Sequence, residues 1–353
     1  MAGKIKGLDG LRAISVLFVI MSHAEAWQAL GITSGAVRSA LSAQTGVNIF
    51  FVLSGFLITY LLIKEKEATG KIDIISFIKR RALRIFPLYY LAIFFLMYMN
   101  YTGRANIPNC SFVYALTYTI NFYPKECAYS AMSHFWSLSV EEHFYLFWPI
   151  IFCLGKRVAM LIAGAVAISC VIIGTSLYPD SQNYYMNRWT FPAMLPILAG
   201  CILAFICNLP LLVSPIADKA SSSILLIAIA FGLTTPAFIN SDVIWLASVC
   251  ALVLYIFHNQ DSMLVRLLEF KPLAVLGVIS YGLYVWQGVF TGNGPYRSGG
   301  AFPPPVDVGV WLTFIVAPIS YVFFEKPIMR LKHRYSWRAT DQSGASAHNL
   351  AGQ

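Results

Sequence analysis

The chain has 353 residues, of which 58% are hydrophobic and only 12% are charged, and its formal net charge is +9. About a quarter of the residues in a soluble domain are charged, so this composition excludes a chain that covers its own surface with polar groups. It indicates a protein surrounded by lipid, in which the basic excess sets membrane topology or holds an anionic ligand and is not a sign of nucleic-acid binding.

Ten apolar segments predict transmembrane helices, because a helix needs about 20 mostly apolar residues to cross a bilayer. They lie at roughly 11–27, 45–63, 84–101, 137–154, 158–177, 190–207, 222–239, 243–257, 273–290 and 306–325. The sequence therefore predicts an all-α polytopic transmembrane bundle over residues 1–335 and a polar, disordered tail over residues 336–353. The first segment is expected to remain as a span, since its pattern is not that of a cleaved signal peptide.

Basic residues predict the orientation of these spans in the cell (inner) membrane. The connection after the second span carries the densest positive cluster, which consists of Lys64, Lys66, Lys71, Lys79, Arg80, Arg81 and Arg84. Because cytoplasmic loops carry the excess of Lys and Arg, we expect this connection and both termini to be cytoplasmic. Lys156 and Arg157 should also lie inside, so the short apolar segment 112–123 is predicted to be a re-entrant or surface segment.

This topology places residues 102–136 on the outer face, where disulfides can persist. Cys110 and Cys127 flank the short segment there and are candidates for a disulfide, with two unpaired thiols as the alternative. The sequence contains no Cys-x-x-Cys pair, and no metal site is predicted.

The first span, GLDGLRAISVLFVIMSHAEAW, contains two ionisable residues eleven positions apart. Arg12 and His23 would lie on nearly one face of a helix, separated by a rise of about 16 Å. Such groups inside a span suggest function, although Arg12 alone could be an interfacial anchor and His23 alone could bond a neighbouring helix. A cation at the inner face and a base deeper along the helix would suit acyl-coenzyme A, a polyanion with a long arm that ends in a thioester.

Two further segments carry candidate chemistry. In RRALRIFPLYY, Arg81 and Arg84 are three positions apart and would form a bidentate phosphate clamp on one helix face, with ordinary membrane topology as the alternative explanation. In HFWSLSVEEHFYLFWPI, Glu141 is expected to lie at the level of His23 and to orient its imidazole, unless it is a solvated charge at a helix N-terminus. Supporting roles are assigned to Asp9 as a helix cap, to Tyr284, and to Glu325 as a partner of the cytoplasmic arginines.

Six segments, in this order and over nearly the whole chain, resemble the acyltransferase-3 family of membrane O-acyltransferases. The segments are GLDGLRAISVLFVIMSH, GVNIFFVLSGFLIT, RRALRIFPLYY, FWSLSVEEHFYLFWP, LGVISYGLYVWQ and FEKPIMR. The resemblance assigns the family's arginine–histidine pair to Arg12 and His23, and its paired arginines to Arg81 and Arg84. It assigns the tryptophan–serine–leucine motif and its glutamate to Trp136, Ser137, Leu138 and Glu141. Gln287 departs from the family, which often has a histidine at this position, so the resemblance implies no catalytic role there.

The resemblance implies transfer of an acyl group, most often acetyl, from acyl-CoA as a co-substrate to a hydroxyl of a cell-surface glycan such as O-antigen of lipopolysaccharide or exopolysaccharide. No bound cofactor is expected. Direct transfer with His23 as the base is the mechanism we predict, and an acyl-enzyme on Ser137 or Ser139 is the alternative. A transporter or flippase of a lipid-linked glycan, and an acyltransferase for a small glycosylated metabolite, are the alternative functions.

Overall fold

A computed structural model of the chain describes residues 5–26, 30–32, 34–177, 188–207, 241–292, 301–331 and 335. Every regular element in these ranges is helical, in agreement with the predicted all-α fold. The helices are α1 (Leu8–His23), α2 (Gly35–Ala40), α3 (Ala43–Thr69), α4 (Ile74–Tyr101), α5 (Asn109–Leu116), α6 (Phe135–Cys153), α7 (Lys156–Leu177), α8 (Thr190–Ala193), α9 (Leu195–Cys207), α10 (Ser241–His258), α11 (Met263–Leu268), α12 (Lys271–Val278), α13 (Ser280–Thr291), α14 (Val306–Ser320) and α15 (Lys326–Arg330). The predicted span 222–239 and the predicted tail 336–353 lie outside the described residues.

Three helices of the described part are long and apolar enough to cross a membrane. They are α3, α4 and the continuous helix Val306–Arg330, in which a π-helical turn (Tyr321–Glu325) joins α14 to α15. The bent pair α12 and α13 would add a fourth. A membrane helical protein is therefore supported, whereas the count of ten spans and the orientation of the termini stay predictions.

The basic connection after the second span is mostly helical. Helix α3 ends at Thr69, Gly70 follows with a φ of 74°, and α4 already begins at Ile74. Asp73 caps α4 by accepting a hydrogen bond of 3.0 Å from the Ser76 backbone N–H, and this bond lowers the pKa of the Asp73 carboxyl. The arginines of the RRALRIF segment consequently lie on a rigid helix and keep fixed directions.

Helix α3 packs at the centre of the described bundle, against α1 on one side and α9 on another. Its contact with α9 depends on two glycines: a Cβ at Gly55 would lie 1.9 Å from the Ile197 carbonyl oxygen, and one at Gly200 would lie 2.1 Å from that of Val52. Small residues let helix backbones approach this closely. This close contact at Gly55 sets the rotation of α3 about its axis.

Two predicted single spans are broken in the structure. Residues 273–290 bend by 67° between α12 and α13, and Gly277 lies so close to α1 that a Cβ would be 1.8 Å from the Asp9 carbonyl oxygen. The segment 190–207 is divided at Met194, since Pro196 has no N–H for the preceding turn. Both predictions missed the break because apolar periodicity reports the burial of a segment and not its direction.

The segment 112–123 forms only α5 and a 3₁₀ turn at Ile120–Phe122, well short of the roughly 20 residues of a span. Cys110 and Cys127 form a disulfide with their Cα atoms 5.6 Å apart. The Ser111 hydroxyl donates to the Cys127 carbonyl oxygen, and the buried Tyr89 hydroxyl donates to that of Ala115. These bonds attach the segment to the bundle.

Candidate active site

A cavity of about 760 Å³, including its mouth, lies among α1, α3, α4, α6 and α13. Apolar side chains of α3 form much of its wall. Its polar lining is formed by Arg12, Ser54, Arg81, Arg84, Ser137, Glu141, Tyr145, Ser280, Tyr281 and Tyr284. The structure thus brings four of the five principal predicted residues, namely three arginines and Glu141, around one space.

Arg12 is held by its neighbour on the same helix. Its Nη1 lies 3.1 Å from Asp9 Oδ1, an ion pair at i, i+3. The prediction that Asp9 caps α1 is wrong: Asp9 is the second helical residue, the cap position is Gly7 with a φ of 87°, and no side chain caps it. The Gly7 N–H donates instead to Glu269 at 2.6 Å, which leaves the Asp9 carboxylate to bind Arg12.

The three arginines of α4, Arg80, Arg81 and Arg84, divide into two groups. Arg80 binds the buried Glu65 at 3.1 Å and the Tyr335 carbonyl oxygen at 2.5 Å, which are structural contacts. Within the described part of the chain, neither Arg81 nor Arg84 makes a hydrogen bond or an ion pair. Arg81 packs by its guanidinium on the rings of Phe77 and Tyr145, at 5.6 and 5.7 Å from their centroids. The N–H donors of Arg81 and Arg84 are therefore available to an anion in the cavity.

Glu141 belongs to the arginine end of the cavity. It accepts a hydrogen bond of 2.7 Å from the Ser54 hydroxyl, and it interacts electrostatically with Arg12 and Arg81. We expected Glu141 to lie beside His23 and orient it, but the structure has no hydrogen bond between these two described residues. The reason is the direction of α6, which brings its N-terminal residue His134 to the His23 end of α1 and places Glu141 two turns away.

A hydrogen-bonded pair lines the cavity on the side of His134. The hydroxyls of Ser137 on α6 and Tyr284 on α13 lie 2.6 Å apart, and the Tyr284 hydroxyl also donates to the His134 carbonyl oxygen at 3.1 Å. The His134 ring lies beyond this pair, with its centroid 5.8 Å from that of Tyr284. Ser137 and Tyr284 therefore stand between the arginines and the histidines.

His23, the last residue of α1, is half-buried and is not part of the cavity lining. Its electrostatic neighbours are Arg188 and His134. The Arg188 guanidinium lies 5.5 Å from the centroid of the Trp136 ring, so Trp136 packs against Arg188. We call His23, His134 and Arg188 the histidine cluster.

One comparison with known proteins decides the family. A family model described as an acyltransferase domain, that of the acyltransferase-3 family, matches residues 5–325 and so covers every described residue of the cavity and of the histidine cluster. The chain belongs to the acyltransferase-3 family. No solved structure matches it.

Curated relatives of this acyltransferase-3 member carry consistent names. The O-acetyltransferase OatA of Staphylococcus aureus is 31% identical over 92% of this chain and 57% of its own length. The peptidoglycan O-acetyltransferase OatA of Listeria monocytogenes is 26% identical over 92% and 56%. The putative peptidoglycan O-acetyltransferase YrhL of Bacillus subtilis is 28% identical over 92% and 55%. The chain thus spans a little over half the length of these relatives.

The remaining predicted residues of this family member have mainly structural contacts. Glu325, in the π-helical turn, is 5% exposed, accepts a hydrogen bond of 3.2 Å from Ser320, and interacts electrostatically with Arg84. A π-helical turn inserted in an α-helix often marks a functional site. Gln287 is fully buried and donates to Thr291 at 2.7 Å. It thus binds within its own helix.

Sequence reasoning missed four polar residues of this region: Ser54, Tyr145, His134 and Arg188. Ser54 lies in the uncharged segment GVNIFFVLSGFLIT, and Tyr145 and His134 lie in a segment whose charged residues give the stronger signal. A signal for His134 and Tyr145 was their spacing from Glu141, at seven residues before and four after, which places all three on one face of α6. Arg188 follows residues that the structure does not describe, and no local pattern distinguishes it.

Proposed function

We propose that this chain is a membrane O-acyltransferase that moves an acyl group, foremost acetyl, from acyl-CoA to a hydroxyl of a cell-surface glycan. The observation that carries the proposal is the pair Arg81 and Arg84, whose guanidinium groups make no hydrogen bond or ion pair among the described residues and line one cavity with Arg12. Unpaired, positioned guanidinium donors in a concave site suit the phosphates of an acyl-CoA.

The names of the relatives favour a particular acceptor. Two of the three quoted relatives are named for peptidoglycan, and all three for O-acetyl transfer. We therefore propose a peptidoglycan-type glycan ahead of the O-antigen or exopolysaccharide expected at first. Because the chain spans only part of these relatives, the activity and the acceptor of the whole proteins are carried over as proposals alone.

The proposed donor pose follows α1. The phosphates bind Arg12, Arg81 and Arg84, and the pantetheine arm extends along the helix toward His23, about 16 Å further on. In this pose the arm passes Ser137 and Tyr284, which line the cavity and are hydrogen-bonded to each other. The arm reaches His23 only if these two hydroxyls part, and a pair held by hydrogen bonds of roughly 1 kcal/mol each can do so at small cost.

The proposed chemistry is a direct transfer. His23 removes the proton of the glycan hydroxyl, the oxygen attacks the thioester carbonyl carbon, and a C–O bond forms as the C–S bond breaks. His23 then returns the proton to the leaving thiolate. An acyl-enzyme on serine is disfavoured by its environment, since Ser137 binds Tyr284 and the buried Ser139 donates to the Phe135 carbonyl oxygen at 3.2 Å. Among the described residues, neither hydroxyl has an imidazole as hydrogen-bond partner that could act as its base, since the Ser137 hydroxyl reaches only the backbone carbonyl oxygen of His134, at 3.2 Å.

The test uses the purified full chain in lipid nanodiscs with acetyl-CoA and one acceptor at a time: a peptidoglycan glycan fragment, an exopolysaccharide fragment or a small glycoside. Free thiol release is measured together with the mass of the acceptor. We expect thiol release that depends on the peptidoglycan fragment, with a mass gain of one acetyl group on it. A transporter of a lipid-linked glycan would release no thiol with any acceptor, and that result would reject the enzyme.

A further inference from the structure

Tyr145 has no role in the transfer reaction proposed above, although it lies in the donor cavity. It lies one turn after Glu141 on α6, so both side chains project from one face of the helix. It lines the cavity and is only 6% exposed. Its ring and its hydroxyl make two separate contacts, each to a residue of the donor site.

The ring of Tyr145 holds Arg81. The Arg81 guanidinium lies 5.7 Å from the Tyr145 centroid and 5.6 Å from that of Phe77 on its own helix. Contacts with the faces of aromatic rings attract a cation without engaging its N–H groups as hydrogen-bond donors. A guanidinium held in this way keeps its direction and keeps its donors available, which a carboxylate partner would not allow.

The hydroxyl of Tyr145 fixes Glu141 through a third residue. It donates to Ser54 Oγ at 3.1 Å, and the Ser54 hydroxyl donates to Glu141 Oε1 at 2.7 Å. Ser54 faces the cavity because its neighbour Gly55 locks α3 against the Ile197 carbonyl. The chain of bonds thus crosses from α6 to α3 and back, and it ends on the carboxylate that interacts electrostatically with Arg12 and Arg81.

We infer that Tyr145 and Ser54 are positioning residues of the donor site, an inference that rests on the proposed function. The Tyr145 ring holds the Arg81 guanidinium for the donor phosphates, and the Tyr145–Ser54 bonds hold the Glu141 carboxylate at a fixed distance from the arginines. Loss of the ring weakens donor binding. Loss of the hydroxyl leaves the arginines and their N–H donors in place, so donor binding stays intact. Turnover falls, because the Glu141 carboxylate is no longer held and the bound donor loses its reactive pose.

Four variants separate these roles in the acetyl-CoA assay. Tyr145→Phe keeps the ring, so we expect a donor KM within twofold of wild type and a kcat lowered about fivefold, the scale of one lost hydrogen bond. Ser54→Ala should reproduce Tyr145→Phe, and the double variant should be no worse than either, since all three break one chain of bonds. Tyr145→Leu should in addition raise the donor KM by roughly 5- to 20-fold through loss of the ring contact.

Tyr98→Phe is the matched control, because Tyr98 is 56% exposed on α4; it should leave both constants unchanged. Unchanged kcat in Tyr145→Phe, or additive losses in the double variant, would overturn the hydroxyl role. An unchanged donor KM in Tyr145→Leu would overturn the role of the ring. If that variant does not fold, Tyr145→Phe and Ser54→Ala still test the role of the hydroxyl. Wild-type protein that consumes no acetyl-CoA would instead reject the proposed function, which the variants do not address.

Discussion

The arginine cavity and the histidine cluster lie at opposite ends of α1, and they differ in how far their polar side chains are enclosed. In the cavity, Arg81 and Arg84 line open space and make no hydrogen bond or ion pair among the described residues. In the histidine cluster, the His134 ring is 3% exposed and is packed against Phe135, Tyr284 and Gly288. One end is ready for a charged ligand and the other is enclosed. We therefore expect that donor binding and transfer can be impaired separately, the first by changes at the arginines and the second by changes at the histidines.

The largest expected effect is at the enclosed end. His23→Ala should lower the rate of acyl transfer by roughly 100-fold or more, the range for loss of a general base. Donor affinity should stay within twofold, because His23 does not line the cavity. Thiol release and acetyl-CoA binding, measured on the same nanodisc preparation, check both statements. Near-normal acylation by this variant would remove His23 from the mechanism.

The opposite pattern is expected at the arginine end. Arg84→Ala should raise the donor KM by roughly 10- to 100-fold, since hydrogen bonds to charged groups contribute about 1.5–3 kcal/mol, while the acceptor KM stays unchanged. Arg84→Lys should recover part of the lost donor affinity, because lysine keeps the positive charge but lacks the planar, bidentate donors of the guanidinium group. Lys71→Ala, at an exposed lysine of the same basic region, is the control for general charge effects. Equal losses in the Arg84 and Lys71 variants would contradict a specific anion site.

A glycine tests whether the packing of His134 matters for transfer. A Cβ at Gly288 would lie 2.0 Å from His134 Nδ1, so Gly288→Ala must displace the ring beside His23. Because small misplacements of reacting groups are costly, we expect kcat to fall about tenfold or more with donor binding unchanged. Gly164→Ala on α7, where nothing lies within 4 Å, should have no effect. A weakened donor affinity in Gly288→Ala would show that the two ends are not separable.

The smallest effect concerns the ion pair between Asp9 and Arg12. Asp9→Asn removes an interaction that is partly open to solvent, so the donor KM should rise only about two- to fivefold. The rise should shrink at high salt, because exposed charges are screened. A titration of the donor KM against ionic strength in wild type and variant measures it. A complete loss of donor binding would mean that Asp9 does more than hold Arg12.

The sequence predicted local geometry well and long-range partners poorly. Arg12 and His23 share α1, and Arg81 and Arg84 share α4, because residue spacing on one helix determines which side chains share a face. The partner of Glu141 is Ser54, 87 positions away, and no periodicity encodes that distance. The bend at Ile279 likewise depends on a tertiary approach, that of Gly277 to Asp9.

The central claim is that the cavity binds the phosphates of the donor, and a truncated donor tests it most directly. The affinities of acetyl-CoA and of acetyl-pantetheine, which lacks the nucleotide phosphates, are compared by calorimetry in wild type and in an Arg81→Ala/Arg84→Ala variant. We expect wild type to bind acetyl-CoA at least roughly 100-fold more tightly than acetyl-pantetheine. The variant should lose most of this preference and bind acetyl-pantetheine as wild type does. Equal affinities of wild type for the two donors would mean that the cavity does not bind the donor phosphates.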